Sequence, residues 1–238
     1  MSYPILPIIY EDNHLLVVEK QAGIPTQADI SGDVDMLTIL KDDLKQRYQK
    51  SGNVYLGLVH RLDRPVGGVM VFAKTSKAAA RLSDSVRNRH FHKTYICVVH
   101  GKPTAATASL QHYLRKDVKR NQVDVFETET VGAKHALLDY KVITTSGQTS
   151  LLAVRLHTGR THQIRAQLAH IGCPLVGDMK YGETKQGKRS NIALWSAALS
   201  FAHPTTKENV TYTALPTHIP LFHQWTEQQL YEATHCFL

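Results

Sequence analysis

The sequence predicts an α+β fold in which a mixed, largely antiparallel sheet carries flanking helices. Three observations carry this. Stretches rich in β-branched and aromatic residues outnumber amphipathic helical ones. Their order lacks the regular strand–helix alternation of a parallel sheet. The chain of 238 residues, 42% apolar and 20% charged, is long enough to bury a substantial core and has an ordinary globular composition.

Each element has its own signal. HLLVVEK at 14–20 reads as a strand, ended by QAGIP. DMLTILKDDLKQRYQK at 35–50 reads as a helix, with Asp35 as cap and Leu37, Leu40, Leu44 and Tyr48 at helical spacing. VYLGLV and GVMVFAK read as short strands. TSKAAARLSDSVRNR at 75–89 reads as a helix capped by Thr75 or Ser76, with a narrow apolar stripe of Ala79, Leu82 and Val86 and its arginines outward. KTYICVVHG, VDVFETET, HALLDYKVI and SLLAVRLHT are further strands. THQIRAQLAHIG forms a helix whose apolar face is Ile164, Leu168 and Ile171, stopped by Gly172 and Pro174. No linker or repeat marks a boundary, so the chain reads as a single domain over 1–238. Its core spans about 8–215, followed by a tail over about 216–238 whose helix packs on the rest.

Composition narrows the function. The formal net charge is +8 and the pI near 9.4, which favours a polyanion partner. Lys74, Lys77, Arg81, Arg87, Arg89 and Lys93 fall within twenty residues against Asp84 alone, and LRKDVKR follows at 114–120. Clustered cations suit a surface that tracks phosphates. No apolar run approaches the roughly 20 residues of a membrane span. MSYPILPIIYEDNH lacks a basic start and carries Pro4 and Pro7, which argues against a signal peptide. Cys97, Cys173 and Cys236 are widely spaced, with no CxxC, which argues against disulfides and a cysteine metal site and fits a cytoplasmic setting.

Three constellations could carry chemistry. GLVHRLDRPVGGVMVFAKT at 57–75 sets Asp63 between Arg61 and Arg64, with His60 before it. A carboxylate that must stay ionised in a dry pocket needs a cation nearby; an ordinary loop aspartate beside a turn proline fits the same letters. LHTGRTHQIRAQLAHIGCPLVGDMKYG at 156–182 opens a helix with Arg160 and His162 at its mouth and Arg165 one turn in. Free N–H groups at such a mouth attract anions, although a solvent-facing basic helix would look alike. Tyr95, two residues after Lys93, either stacks on a nucleobase or belongs to the core. Fourteen histidines include no HExxH or Cys-His spacing, so no metal is expected. GxSxG and nucleotide-binding glycine patterns are absent, and one prominent aspartate without a partner acid is hard to build into a glycosidase.

Taken together, these segments resemble the RluA family of pseudouridine synthases, from IIYEDNHLLVVEKQAGIPTQ to SFAHP near 204. HRLD at 60–63 is similar to the family's aspartate motif, KTY at 93–95 to its tyrosine strand, and TGRTHQIR…GCPLVGDMKYG at 158–182 to its third motif. The resemblance implies a sheet with a central RNA-binding cleft, uridine isomerisation in rRNA or tRNA, and no cofactor or metal. It implies Asp63 as catalytic carboxylate, Arg165 as its ion-pair partner and Tyr95 against the target base. Arg61 would fill the stack left by a flipped nucleotide. Arg160, His162, Lys93 and the basic helix would contact phosphates, with His60 and Arg64 beside them at the RNA. Because the family pattern already starts near Ile8 and Asp63 comes early, the chain reads as a catalytic domain alone, and it is expected to act as a monomer without an obligatory protein partner.

Two departures stand out: Val66-Gly67-Gly68 where hydroxyl residues are usual, and Gln21 where proline is usual. A missing hydroxyl is expected to weaken the Asp63 loop by about 1 kcal/mol. A non-catalytic RNA binder of the same fold, and a phosphoesterase using His60 and His162, are the competing readings. Retention of Asp63, Tyr95 and Arg165 together favours the isomerase.

Overall fold

The computed structural model describes residues 6–182 and 191–238; Pro4 of the N-terminal stretch lies outside them. Among the described residues are eleven strands and four α-helices, and the pairings given below are all antiparallel. In chain order the elements are β1 (Ile8–Glu11), β2 (Leu15–Lys20), α1 (Met36–Arg47), β3 (Gly57–Leu58), β4 (Gly67–Ala73), α2 (Ser76–Arg87), β5 (His92–His100) and β6 (Thr107–Asp117). There follow β7 (Gln122–Phe126), β8 (Lys134–Ser146), β9 (Thr149–Leu156), α3 (Gln163–His170), β10 (Leu194–Ala202), β11 (Asn209–Thr213) and α4 (Glu227–His235). The contacts divide the chain into two compact units, residues 1–91 with 199–214 and residues 92–198 with 215–238.

In the first unit β2 pairs with β1 and with β4, and β3 also pairs with β4. β4 is buried along its whole length and β2 nearly so, which is why both read as unbroken apolar runs rather than alternating ones. Leu15, Val17, Val69 and Val71 meet Ala78 and Leu82 of α2 in one cluster with Phe91 and Phe201, whose rings stack at 4.8 Å. Burying each valine, leucine or phenylalanine side chain of this cluster contributes about 1.5–3 kcal/mol.

Both helices of this unit start on their expected caps. The Asp35 carboxylate accepts from the Leu37 and Thr38 N–H groups, and the Thr75 hydroxyl accepts from Ala78 N–H. The buried face of α1 is Met36, Ile39, Leu40 and Leu44, a quarter-turn from the expected one. Tyr48 is half-exposed; its hydroxyl donates to Glu11, and Lys74 Nζ lies 5.1 Å from its ring centre. In α2 the buried residues are Ala78 and Leu82, and Arg81 is not outward, since it donates to the Pro204 carbonyl.

The second unit has the strand order β5-β9-β8-β6-β7. Its α3 departs from the amphipathic expectation. All residues from Gln163 to Leu168 are buried, so this is an embedded helix, not a basic helix facing solvent. α4 starts on a capping box between Thr226 and Gln229, and it buries Leu230, Ala233 and Thr234. It packs on β5, β8 and β9.

Candidate active site

In the first unit, Asp63 sits at the first corner of a turn closed by Val66 N–H donating to the Asp63 carbonyl at 3.0 Å. Its side chain is half-buried, and Arg61 before it is exposed. The backbone on either side is held by donors from the 20–26 segment. The Thr26 hydroxyl donates to the Leu62 carbonyl at 2.8 Å. Gly23 N–H donates to the Arg64 carbonyl at 2.8 Å. The Lys20 ammonium donates to the carbonyls of Gln21 (3.1 Å), Arg64 (3.1 Å) and Val66 (2.7 Å).

Lys20 is fully buried, and desolvation pushes it down to about 7, with Asp63 opposing this fall and Arg64 adding to it. The loop expected to be slack for want of a hydroxyl is therefore pinned by three residues that the sequence did not single out. Val66 is itself buried, 2% exposed. Gly68 has φ +114°, a backbone that a side chain rarely tolerates, which accounts for the second glycine.

The flanking residues have mainly structural partners. Arg64 donates through Nε to the Gly23 carbonyl at 2.9 Å and through Nη1 to the Ser31 hydroxyl at 3.0 Å, and its Nη2 pairs with Asp33. It straps the Asp63 loop to the 23–33 segment. His60 is buried, packs its ring 5.5 Å from that of Phe91 and accepts from Val71 N–H through Nε2. That nitrogen is occupied as an acceptor, which removes the base that a His60-dependent phosphoesterase would use.

The second unit carries the arginine-rich turn. Arg165 is 5% exposed and Asp178 4%. Arg165 Nε donates to Asp178 Oδ2 at 2.7 Å and Nη2 to Oδ1 at 2.8 Å, a bidentate pair. Oδ1 also accepts from the N–H groups of Lys180 and Tyr181. Burial alone would raise the Asp178 pKa; Arg165 and these two N–H groups bring it below the usual carboxylate value. Gly177, before it, has φ +79°, and an added Cβ would run into the Asn191 carbonyl.

Asp178→Asn is expected to cost about 3–5 kcal/mol, as for one partner lost from a buried pair. A urea titration checks this. Because the folded pKa lies below the unfolded one, the Asp178 contribution is present above pH 3.8 and is lost as pH falls through the folded value.

Gln163, another residue without a sequence signal, organises the Thr-Gly-Arg turn. Its Oε1 accepts from the Thr158 hydroxyl and Arg160 N–H, and its Nε2 donates to the Leu137 carbonyl. Arg160 is exposed and donates through Nε to the His135 carbonyl. His162 caps α3 in the left-handed region, φ 50°. Tyr95 lies on β5 opposite Val154 of β9 and is 6% exposed, a buried residue of the sheet rather than an open stacking platform. Lys93, on β5 rather than on the basic helix, is partly buried, and burial lowers its pKa. Its ammonium sits so close to Gly159 that a Cβ there would lie 3.1 Å away.

Much of the clustered positive charge is locally matched. Lys74 pairs with Glu11, Arg87 with Asp84, Arg115 with Asp124, and Arg120 with Asp117 and Asp124. Among the described residues, one group has the spacing to hold a cation, His112, Glu127 and His170. Gln167 Nε2 lies 3.1 Å from the Leu110 carbonyl, to which it donates, and 2.9 Å from His112 Nδ1. The second amide hydrogen makes Nδ1 an acceptor, which leaves the proton of the neutral ring on Nε2, the nitrogen facing Glu127. In that tautomer Nε2 stands 3.6 Å from Glu127, beyond hydrogen-bond range, while Glu127 is bonded to His170 Nε2 at 2.6 Å.

Two solved structures share this architecture. Human RNA Pseudouridylate Synthase Domain Containing 4 matches with a TM-score of 0.76 and 20% identity over 94% of this chain and 93% of that one. Human RNA Pseudouridylate Synthase Domain Containing 1 matches with a TM-score of 0.74 and 22% identity over 98% and 97%. The fold is that of pseudouridylate synthase domains. In sequence, residues 14–170 match the RNA pseudouridylate synthase family. The chain is 35% identical to the RNA pseudouridine synthase YjbO of Bacillus subtilis over 88% of its own length and 72% of that protein. It is 33% identical to ribosomal large subunit pseudouridine synthase D of Zymomonas mobilis over 88% and 68%. The chain belongs to the RluA-type RNA pseudouridylate synthases. It is thus an isomerase that converts uridine in RNA to pseudouridine.

Proposed function

We propose that Asp63 is the carboxylate that drives this isomerisation, with Arg165 as its counter-cation and Tyr95 against the target uracil. The observation that supports it is the pinning of the Asp63 loop. The carbonyls of Leu62, Arg64 and Val66 are each held by a neighbouring donor, while the carboxylate stays half-exposed. Preorganisation of that kind is what a reacting group requires. The N1–C1′ bond breaks, the uracil turns, and C5 bonds to C1′. The proton lost from C5 is balanced by one gained at N1, so no redox partner or water is consumed. A stacked uridine must first be flipped out, and Arg61, exposed at the start of the loop, fills its place. Arg160 and His162 contact the RNA backbone. Lys93 supports the Thr-Gly-Arg turn, and His60 and Arg64 support the Asp63 loop.

The substrate is ribosomal RNA, in line with the names of two relatives, and the chain works in the cytoplasm as a monomer. No helix among the described residues is long and apolar enough to cross a membrane. The test is tritium release from 5-tritiated uridine. Release from large-subunit rRNA transcripts supports the reading, release from tRNA alone moves the target, and release from neither rejects it. RNA affinity is expected to fall linearly with the logarithm of salt concentration; a flat response in filter binding would contradict phosphate contacts.

A further inference from the structure

The loop after α3 carries Tyr181, which belongs to none of the roles above yet touches both functional side chains of that turn. Val123 N–H donates to the Tyr181 hydroxyl at 2.8 Å. An N–H can only donate, so the oxygen accepts there and keeps its own proton to give. His162 Nδ1 lies 2.8 Å from the same oxygen. The Tyr181 ring carries the Arg165 guanidinium 5.3 Å from its centre and stands edge-on to the His162 ring at 5.7 Å. It packs on the cluster of Leu114, Val123, Ala136 and Ala166, which joins β6, β7, β8 and α3. Its backbone N–H is bound to the Asp178 carboxylate that also holds Arg165.

We propose that Tyr181 is a positioning residue with two separable parts. Its hydroxyl donates to Nδ1 of His162 and so fixes the neutral ring with the proton on Nε2. Its ring braces the Arg165 guanidinium against rotation out of the plane set by Asp178. A neutral imidazole has one donor and one acceptor nitrogen, and the bond at one decides the other. The left-handed backbone of His162 fixes where the ring starts, and the Tyr181 bond fixes how it is turned and protonated. A cation over an aromatic face gains stabilisation that a leucine of similar bulk does not supply. The functional consequence rests on the reading that Arg165 and His162 serve the Asp63 reaction. The tautomer assignment does not.

The test combines ring-nitrogen NMR with turnover. In wild type labelled with ¹⁵N-histidine, His162 is expected to show a protonated Nε2 and a bare Nδ1. Tyr181→Phe keeps the ring and loses the hydroxyl. It should give a mixed tautomer and lower kcat/KM by roughly threefold to tenfold, the size of one neutral hydrogen bond. Tyr181→Leu should lower kcat further. His162→Asn suits the same backbone and donates through an amide that has no tautomer. In that background Tyr181→Phe should lose most of its effect.

A wild-type ring protonated on Nδ1 overturns the proposal, as does an unchanged tautomer in Tyr181→Phe. Equal effects of Tyr181→Phe in both backgrounds also overturn it, and that comparison stands even where one variant is less stable. If the tautomer behaves as stated but Asp63→Asn still turns over, the catalytic reading fails and the Tyr181 assignment remains.

Discussion

Asp63→Asn is expected to abolish tritium release while leaving RNA affinity unchanged or slightly tighter. Asparagine has nearly the same shape, and the loop around it is held through backbone carbonyls that the substitution does not touch. What is lost is the negative charge and the basic oxygen. Removing a positioned carboxylate of this kind costs roughly 10²–10⁴-fold in turnover, and a covalent role would put the loss at or beyond the upper end. Affinity moves the other way because an acid in a phosphate-binding surface repels its ligand. Single-turnover release and filter binding on one RNA preparation separate the two. Release equal to wild type would remove Asp63 from its role. A loss of turnover that only tracks a loss of affinity would make it a binding residue.

How much of this was legible in the sequence depended on where each side chain found its partner. β2, β4, β5 and β9 were readable because they are buried along most of their length and carry unbroken apolar runs. β6 was not. Only His112 and Leu114 of its eleven residues are buried, so TASLQHYLRKD offers polar letters, and it registered as a charge cluster. α3 misled in the opposite sense. Its apolar face of Ile164, Leu168 and Ile171 left a solvent-facing basic helix open as one reading, but Gln163, Arg165 and Gln167 are buried and make their hydrogen bonds inside the unit. Periodicity records apolar burial and has no term for a polar residue satisfied internally.

The site followed the same rule. Asp63 and Arg165 stood out through the family motifs, whereas the groups that hold them did not. Asp178 lay unremarked inside GDMKYG although it is the bidentate partner of Arg165. Nothing near Arg64 in the sequence shows that Gly23, Ser31 and Asp33 receive its guanidinium. Lys20 looked like the polar end of a strand, and its carbonyl partners on Arg64 and Val66 lie 44 and 46 residues away.

Lys20→Met is accordingly expected to separate stability from activity. Two terms oppose each other in the unfolding free energy. Methionine ends the cost of burying an ammonium, and replacing buried charge by an apolar side chain is often neutral or stabilising by about 1–4 kcal/mol. Against this, the Val66 carbonyl loses its 2.7 Å donor, and an unsatisfied buried acceptor costs about 1–3 kcal/mol. The Arg64 carbonyl keeps Gly23 N–H. The terms are of similar size, so the urea midpoint at pH 7 should move little. Turnover should collapse, because the turn that presents Asp63 loses its pin.

The pH dependence gives the sharper test. The folded Lys20 pKa of about 7 lies below the ordinary 10.5. Between those values the unfolded chain binds the extra proton, so wild-type stability from this group rises with pH and is lost as pH falls through 7. The difference in unfolding free energy between wild type and Lys20→Met should therefore grow in favour of wild type from pH 7 to 10. Wild-type turnover should decline over the same range, since three carbonyls use all three N–H bonds of an ammonium and a neutral amine has two. A flat difference curve, or a Lys20→Met enzyme that still releases tritium at the wild-type rate, would show that Lys20 does not hold the Asp63 loop.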